Sequence, residues 1–579
     1  HWADPASVEL LQHLFPLADQ EPILLLCVFR PDRTAPAWEL MTTAERDYTH
    51  RYTEVYLNPL SEQDSSDLVD NLLVISDLPA QVRQLISQHA EGNPFFVEEI
   101  VRTLIDRGLV IQDADGRQWR ANPSLAASNI GLPDNLRGLL MSRIDSLKED
   151  EKYTLQLAAV IGRRFTYQVL KALGENGNGN LPPNSDRISS NGSILDHNLE
   201  NLQKAQLIYE VMRLPEHEFA FRHALIQEAA YDTILLKKRR EFHLRVAEFS
   251  ENLYQERLEE HAVLLEHHFY EAEDDRALKY AIKAGDHAFR LYANTEAIAH
   301  YDRALAIINR ASPESQEAAL LKELYARRGR AYELNSRFGT ALENYEAMEQ
   351  HARELGDQSM ELAALVSQAQ IRCTANDLFD QVEGEMLCKR ALKIARQVDD
   401  PLSEAKTLWN QMNLYRLIDK NLQALQAGEG ALALLRGLPP KERQRLEVRE
   451  QLAFTLNDIY HVSSATQSIE SALDYLEEAR ALWQELDNQP MLADNLATAS
   501  LGYFSLADFN KSLAFSEQAY QLSKSTNNLW GMSYSHYSTG LIYWERGDVD
   551  RAIQTMEEAV LLGEQAGFII VKVMNRWFL

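Results

Sequence analysis

At 579 residues the chain is too long for one hydrophobic core, so several domains are expected. Hydrophobic content of 45% and charged content of 25% sit at globular averages and exclude wholesale disorder. A net charge of −28 excludes nucleic-acid affinity built on phosphate neutralisation, and the sequence holds no separate basic module that would supply it.

Cys27, Cys373 and Cys388 stand far apart in apolar or helical contexts. That usage fits a reducing, cytoplasmic compartment and gives neither a disulfide framework nor a metal knuckle. No signal-peptide pattern opens the chain, and its most apolar run, residues 23–29, is too short to span a bilayer, so no membrane contact is expected. The chain enters at His1 as if at the end of a strand-loop unit and stops at the apolar Arg576-Trp577-Phe578-Leu579. Both ends read as truncations of a longer parent.

Residues 1–58 alternate helix and strand, as the tail of an α/β domain does. Asp4 and Pro5 supply an N-cap and a first-position proline, and the helix through Leu10, Leu11 and Leu14 stops near Pro16. The apolar run from Pro22 to Phe29, closed by Arg30-Pro31, predicts a parallel strand covered on both faces, and residues 52–57 suit one more strand. Residues 59–130 turn helical. Ser61 to Asp64 open an amphipathic helix with Leu68, Leu72 and Leu73 on its apolar face. Gly92-Asn93-Pro94 interrupts, a helix resumes from Phe95 to Leu104, and Asp113 to Gly116 predict a hairpin turn.

Residues 131–240 predict helices opening at Leu132-Pro133-Asp134, over 153–161 and over 166–173, then a Gly/Asn/Ser-rich flexible insertion at 174–193. A helix over 194–205 precedes a hairpin of 207–213 with 218–221 across Pro215, which is winged-helix order. The helix that would face DNA carries Asp196, Glu200 and a single Lys204, an acidic face that argues against DNA. From 241 to 579 the pattern is helical and repetitive. Gly285, Ala297, Tyr301 and Ala304 have counterparts at Gly329, Ala341, Tyr345 and Met348. The frame returns at Ser500, Ser512, Ser516 and Ala519, and at Gly540, Ala552, Met556 and Ala559. A spacing of about forty residues predicts tetratricopeptide-like helix pairs, longer than usual, stacked into an α-solenoid.

Four segments carry a resemblance. These are His1-Trp2-Ala3-Asp4-Pro5, Leu26-Cys27-Val28-Phe29-Arg30-Pro31, Gly92-Asn93-Pro94-Phe95-Phe96-Val97-Glu98-Glu99, and the stretch from Phe221 through His223 to Tyr231. Together they resemble the signal-transduction ATPases with numerous domains, the STAND class of P-loop NTPases. The branch they resemble is the AAA-type one found beside class III cyclases and in large LuxR-type regulators. The resemblance implies nucleotide contacts from Arg30, Gly92, Asn93, Pro94 and His223, with none of them catalytic. It places Arg30 on the γ-phosphate, Gly92-Asn93-Pro94 against the adenine, and His223 on the β-phosphate of ADP. Each also has an ordinary reading: an arginine closing a strand, a helix break, a histidine lining a helix. Asp4 reads mainly as a helix cap.

No metal site is expected. His267 and His268 are adjacent on a helix and point apart, and the spacing from His261 does not share a face with them. Lys237-Lys238-Arg239-Arg240 reads as a basic helix end that complements the dipole. No Gly-x-x-x-x-Gly-Lys-Ser/Thr and no paired Walker B acids occur, so this chain alone is expected neither to hydrolyse ATP nor to bind it tightly. ATP/ADP with Mg2+ is expected to bind the full-length parent. The expected role is the regulatory and sensor half of an ATP/ADP-switched ATPase. Its repeats would bind a protein partner or small-molecule signal, and its active form would be a homo-oligomer. The rivals are the regulatory region of an adenylate or guanylate cyclase, a LuxR-type transcriptional regulator, and an inactive repeat scaffold.

Overall fold

The computed structural model describes residues 3, 5–30, 32–33, 35–72, 86, 89–112, 119–122, 135–175, 194–214, 216–291, 293–310, 318–335, 337–526 and 528–566. Asp4, Pro31, Leu73, the predicted turn at 113–116, the helix start at 132–134, most of the 174–193 insertion, Pro215 and the two chain ends lie outside them. The fold is mainly α and divides into two compact units, His1–Leu291 and Tyr292–Leu579. Among the described residues no helix is long and apolar enough to cross a membrane.

The first unit opens with the helices Pro5–Leu14 and Ala37–Asp47, which meet through Val8, Phe15 and Leu40. The strand expected at 22–29 does not form. Residues 23–30 have no regular secondary structure, with Leu24, Leu26 and Val28 exposed by 88%, 82% and 78%. A buried strand needs ladder partners on both sides, and the segment pairs with none among the described residues. Residues 52–60 are likewise irregular. In the helix Glu62–Leu72 the buried positions are Ser65 and Val69, while Leu72 turns outward.

The helix Pro94–Asp106 buries Phe96, Val97, Ile100, Val101 and Leu104, and strands β1 (Val110–Gln112) and β2 (Trp119–Ala121) pair antiparallel behind it. A buried ion pair between Glu99 and Arg143 ties this helix to the helix Leu136–Asp145. Arg143 also donates to the Ala205 carbonyl at 2.7 Å. Next come the helix Glu149–Ile161, strand β3 (Arg164–Thr166), the helices Tyr167–Glu175 and Ile194–Lys204, and strands β4 (Ile208–Met212) and β5 (Glu218–Phe221). The sheet order is β3-β5-β4, so the predicted hairpin gains a third strand from before the insertion. Its core joins Leu155, Phe165, Leu202, Phe219, Phe221 and Ile226 to Phe242 and Val246. The last two lie on the helix Leu236–Leu253, so a boundary at residue 240 cuts an element that packs into this core.

The basic run 237–240 begins that helix instead of ending one, because Leu235 at the N-cap offers no side-chain acceptor to announce the start. Arg239 reaches back to donate to the Ile234 carbonyl at 2.9 Å. The unit closes with the helices Ala262–Glu271 and Arg276–Arg290.

The second unit consists of helix pairs. After Asn294–Arg310, the first helices of successive pairs are Ala318–Leu334, Gln358–Cys373, Pro401–Leu417, Leu446–Thr466, Gln489–Ser505 and Leu529–Glu545. Each packs on its own second helix, and Ala318–Leu334, Gln358–Cys373, Pro401–Leu417 and Gln489–Ser505 also pack on the first helix of the next pair. Small residues set the approach. A Cβ on Gly329 would lie 2.3 Å from the Tyr345 ring, and one on Gly540 would lie 2.7 Å from Met556. Ser500 and Ser512 exchange side-chain to carbonyl hydrogen bonds at 2.8 Å each. Three of the four occurrences of the frame, at Gly329, Ser500 and Gly540, hold tetratricopeptide-like pairs, as the sequence spacing predicts.

Candidate functional site

Gly92 sits in the left-handed region at φ +75°, where a side chain is strained, and a Cβ there would stand 2.5 Å from the Leu60 carbonyl oxygen. The Leu60 N–H donates to the Gly92 carbonyl at 2.8 Å, pinning the turn. Asn93 then caps the next helix: its Oδ1 accepts from the N–H groups of Phe95 at 3.0 Å and Phe96 at 3.4 Å. Pro94 occupies the first turn, where no donor is missed. This tripeptide therefore aims the N-terminus of the helix Pro94–Asp106, and Phe95 with it.

Phe95 stacks on His223, with ring centroids 4.1 Å apart and planes 13° from parallel. His223 caps the helix Ala224–Asp232: the Leu225 N–H donates to its Nδ1 at 3.2 Å. That bond leaves the proton on Nε2 in the neutral ring. Burial lowers the His223 pKa, and the charges of Arg163 and Arg30 lower it further, against an opposing pull from Glu228. Arg30, Phe95 and His223, separated by long stretches of sequence, thus share one neighbourhood at two helix N-termini. Burial lowers the Arg102 pKa, and the like charges of Arg222 and Arg143 add to this while Glu99 and Glu98 beside it oppose. Helix N-termini, a neutral Nε2–H donor and guanidiniums form an anion-accepting arrangement. Sequence reading missed Phe95 as a stacking ring and Arg163 as a neighbour, since nothing local marks either.

In the second unit the first helices of successive pairs carry a polar chain. Trp409 Nε1 and Asn413 Nδ2 donate to Asp458 Oδ2 at 2.9 and 3.3 Å. Asn457 Nδ2 donates to Asp494 Oδ2 at 2.9 Å, and Asn495 Nδ2 donates to Asn457 Oδ1 at 3.0 Å. Burial raises the Asp458 pKa, opposed by Arg416, and pushes Asp494 up to about 7 with help from the Asp458 charge. Both aspartates keep partly accessible side chains while enclosed by protein atoms. Single residues such as these give no periodic signal, so sequence reading passed over them.

Two further groupings depart from expectation. Cys373 and Cys388, far apart in sequence context, lie buried with their sulfurs 3.9 Å apart. His267 and His268 do converge, and they do so with His243: ligand nitrogens of all three lie within 4.8 Å of one another. The expectation that they point apart considered one helix only, and the third ring comes from another.

A family model described as a domain of unknown function (DUF8739) matches residues 61–118, the span that holds Gly92, Asn93 and Pro94. An uncharacterized protein of Rhizobium meliloti (strain 1021) is 25% identical over 254 residues, covering 42% of this chain and 21% of that protein. The chain thus spans about a fifth of the length of the curated relative it matches. Among solved structures, a Signal Transduction ATPase with Numerous Domains protein with a tetratricopeptide repeat sensor, from Pyrococcus horikoshii, is 15% identical at a TM-score of 0.36. That match covers 90% of this chain and 75% of the other. The Rap conjugation gene regulator of plasmid pLS20, in complex with the Phr* peptide, is 16% identical at a TM-score of 0.40, covering 52% and 76%. The apo form of the quorum sensor NprR from B. thuringiensis is 13% identical at 0.39, covering 58% and 93%. Likeness at these scores assigns no activity to this chain.

Proposed function

We propose that this chain is the regulatory and sensor part of an ATP/ADP-switched signalling ATPase, with the first unit contributing to a nucleotide site and the repeats taking a signal. The observation that carries the reading is the meeting of His223, Phe95 and Arg30 at two helix N-termini, with Arg163 beside them. These residues fit a nucleoside diphosphate. His223 would donate its Nε2–H to the β-phosphate of ADP, Arg30 would contact the γ-phosphate when ATP takes its place, and the turn at Gly92-Asn93-Pro94 would back the base. The phosphate-binding loop and the Mg2+ ligands would come from elsewhere in the protein. The sheet β3-β5-β4 on its helices supports reading the His223 domain as a winged helix. Held by the diphosphate, that domain would stay closed, and losing the contact would free it.

The repeats supply the second half of the reading. Two mutually repelling aspartates, Asp458 and Asp494, set among amide donors favour a ligand that brings a cation and backbone-like acceptors, as a basic peptide or protein segment does. The active form would be a homo-oligomer, and the compartment the cytoplasm.

The test is nucleotide titration of the full-length protein and its Arg30→Ala variant. A charge-assisted contact of about 1.5–3 kcal/mol gives the parent a preference between ATP and ADP of about tenfold or more, which the variant loses. Equal discrimination by the two proteins removes Arg30 from the site and the switch reading with it.

A further inference from the structure

Three histidines meet between the helices Leu236–Leu253 and Ala262–Glu271. His243 and His268 are each 1% exposed, and their Nδ1 atoms face each other at 2.9 Å. His267 is exposed, and its ring centroid lies 5.6 Å from that of His243 and 5.1 Å from that of His268. His243 and His267 also line a cavity of about 640 Å³ with Tyr231, Asp232 and Glu271.

We propose that His243, His267 and His268 form a site for a borderline divalent transition metal of the zinc class, held by three imidazole nitrogens with a fourth position open to the cavity. The donor set selects the ion. Three imidazoles suit zinc and its neighbours, whereas calcium and magnesium require oxygen ligands. Geometry permits it with small movements. A tetrahedral zinc with nitrogens at about 2.0–2.1 Å separates them by about 3.3 Å. The 2.9 Å pair opens by a few tenths of an ångström, and the wider pairs, none beyond 4.8 Å, close by side-chain rotation.

The surroundings prepare the ligands. Tyr231 Oη lies 3.0 Å from His243 Nε2, and accepting that N–H turns the Nδ1 lone pair inward, as the outer partners of metal-binding histidines do. Both rings are buried, and the neutral imidazole that burial favours is the form that coordinates a metal. The charge of Arg239 opposes a cation here. Asp232, Glu228 and Glu271 on the cavity wall offset it, with Glu271 one turn beyond His267. A hydrogen-bonded pair of core histidines explains His243 and His268, and chain adjacency brings His267 near His268, but neither accounts for the approach of the His267 ring to His243 on the other helix.

The chain is freed of metal with EDTA, dialysed, and titrated calorimetrically with zinc sulfate beside His267→Gln and, as a control, His13→Gln. His13 is exposed on the helix Pro5–Leu14, outside the cluster. The parent and the control bind one zinc per chain and gain thermal stability from it. His267→Gln unfolds at the parent's temperature without zinc, since the replaced ring is exposed, yet binds at least about tenfold more weakly. X-ray absorption of the zinc-loaded parent reports a nitrogen shell containing three imidazoles. Absence of stoichiometric binding by the parent, or equal affinity in His267→Gln, overturns the site.

Discussion

Asp494 is the residue whose chemistry is most at odds with its surroundings. An aspartate in the unfolded chain ionises near about 3.9, whereas burial and the charge of Asp458 push Asp494 up to about 7, with only the Asn457 hydrogen bond opposing. Below about pH 4 both states carry the proton and the group is neutral to stability. Between about pH 4 and 7 the unfolded chain releases the proton while the fold retains it, so rising pH destabilises the fold across that window. Asp494→Asn cannot ionise and still offers an oxygen to the Asn457 amide. The variant should match the parent near about pH 3 and exceed it by about 2 kcal/mol near pH 8, below the full linkage value because the side chain keeps some access to water. Urea unfolding at several pH values measures this, and a difference that stays constant with pH would sink it. The helix break at Gly92-Asn93-Pro94 was legible in advance, because turn chemistry is local, whereas the φ of +75° at Gly92 and the Asn93 cap were not read from it. The partners of His223 were not, because stacking and guanidinium repulsion join distant segments.

The helix is the element the chain writes most clearly, and its punctuation shows why. In the repeats a left-handed residue ends one helix and an Asp or Asn caps the next, as at Gly356-Asp357, Asp399-Asp400 and Asp487-Asn488. Asp400 accepts from the Ser403 N–H at 3.0 Å and from the Ser403 hydroxyl at 2.7 Å, ahead of Pro401. Asp400→Ala strands those donors and should cost about 1 kcal/mol, while Asp400→Asn keeps most of the cap. Equal midpoints for the alanine variant and the parent in urea unfolding would show that the neighbouring pairs, not the cap, set this boundary. Small residues at fixed offsets made the pairs legible, since Gly329 and Gly540 leave room only for Tyr345 and Met556. The run at 22–29 misled because an apolar composition specifies a wish to be covered, not the partner strands that do the covering. The basic run 237–240 misled because its helix starts without a cap, leaving charge as the sole and misleading cue.

At the scale of the whole molecule two electrostatic effects compete, and salt separates them. Asp and Glu total 86 against 58 Lys and Arg, leaving −28 to repel itself in the compact state. Against this stand ion pairs between neighbouring helices, such as Arg328 with Asp302 at 2.6 Å and Arg396 with Glu404 at 2.7 Å. Exposed pairs of this kind contribute about 0–1 kcal/mol each and weaken in salt. Salt at 0.1 M screens exposed charges beyond about 10 Å, so it relieves the summed repulsion of the acidic excess as well as weakening the pairs. Repulsion should outweigh the pairs, because acidic side chains outnumber basic ones 86 to 58. Raising sodium chloride from about 10 mM to about 200 mM should therefore raise the unfolding midpoint by a few degrees, the shift that about 1–2 kcal/mol produces in domains of this size. Differential scanning calorimetry across that range is the measurement. A midpoint that falls with salt would mean that the inter-helix pairs dominate and that the acidic excess is held far enough apart to cost little.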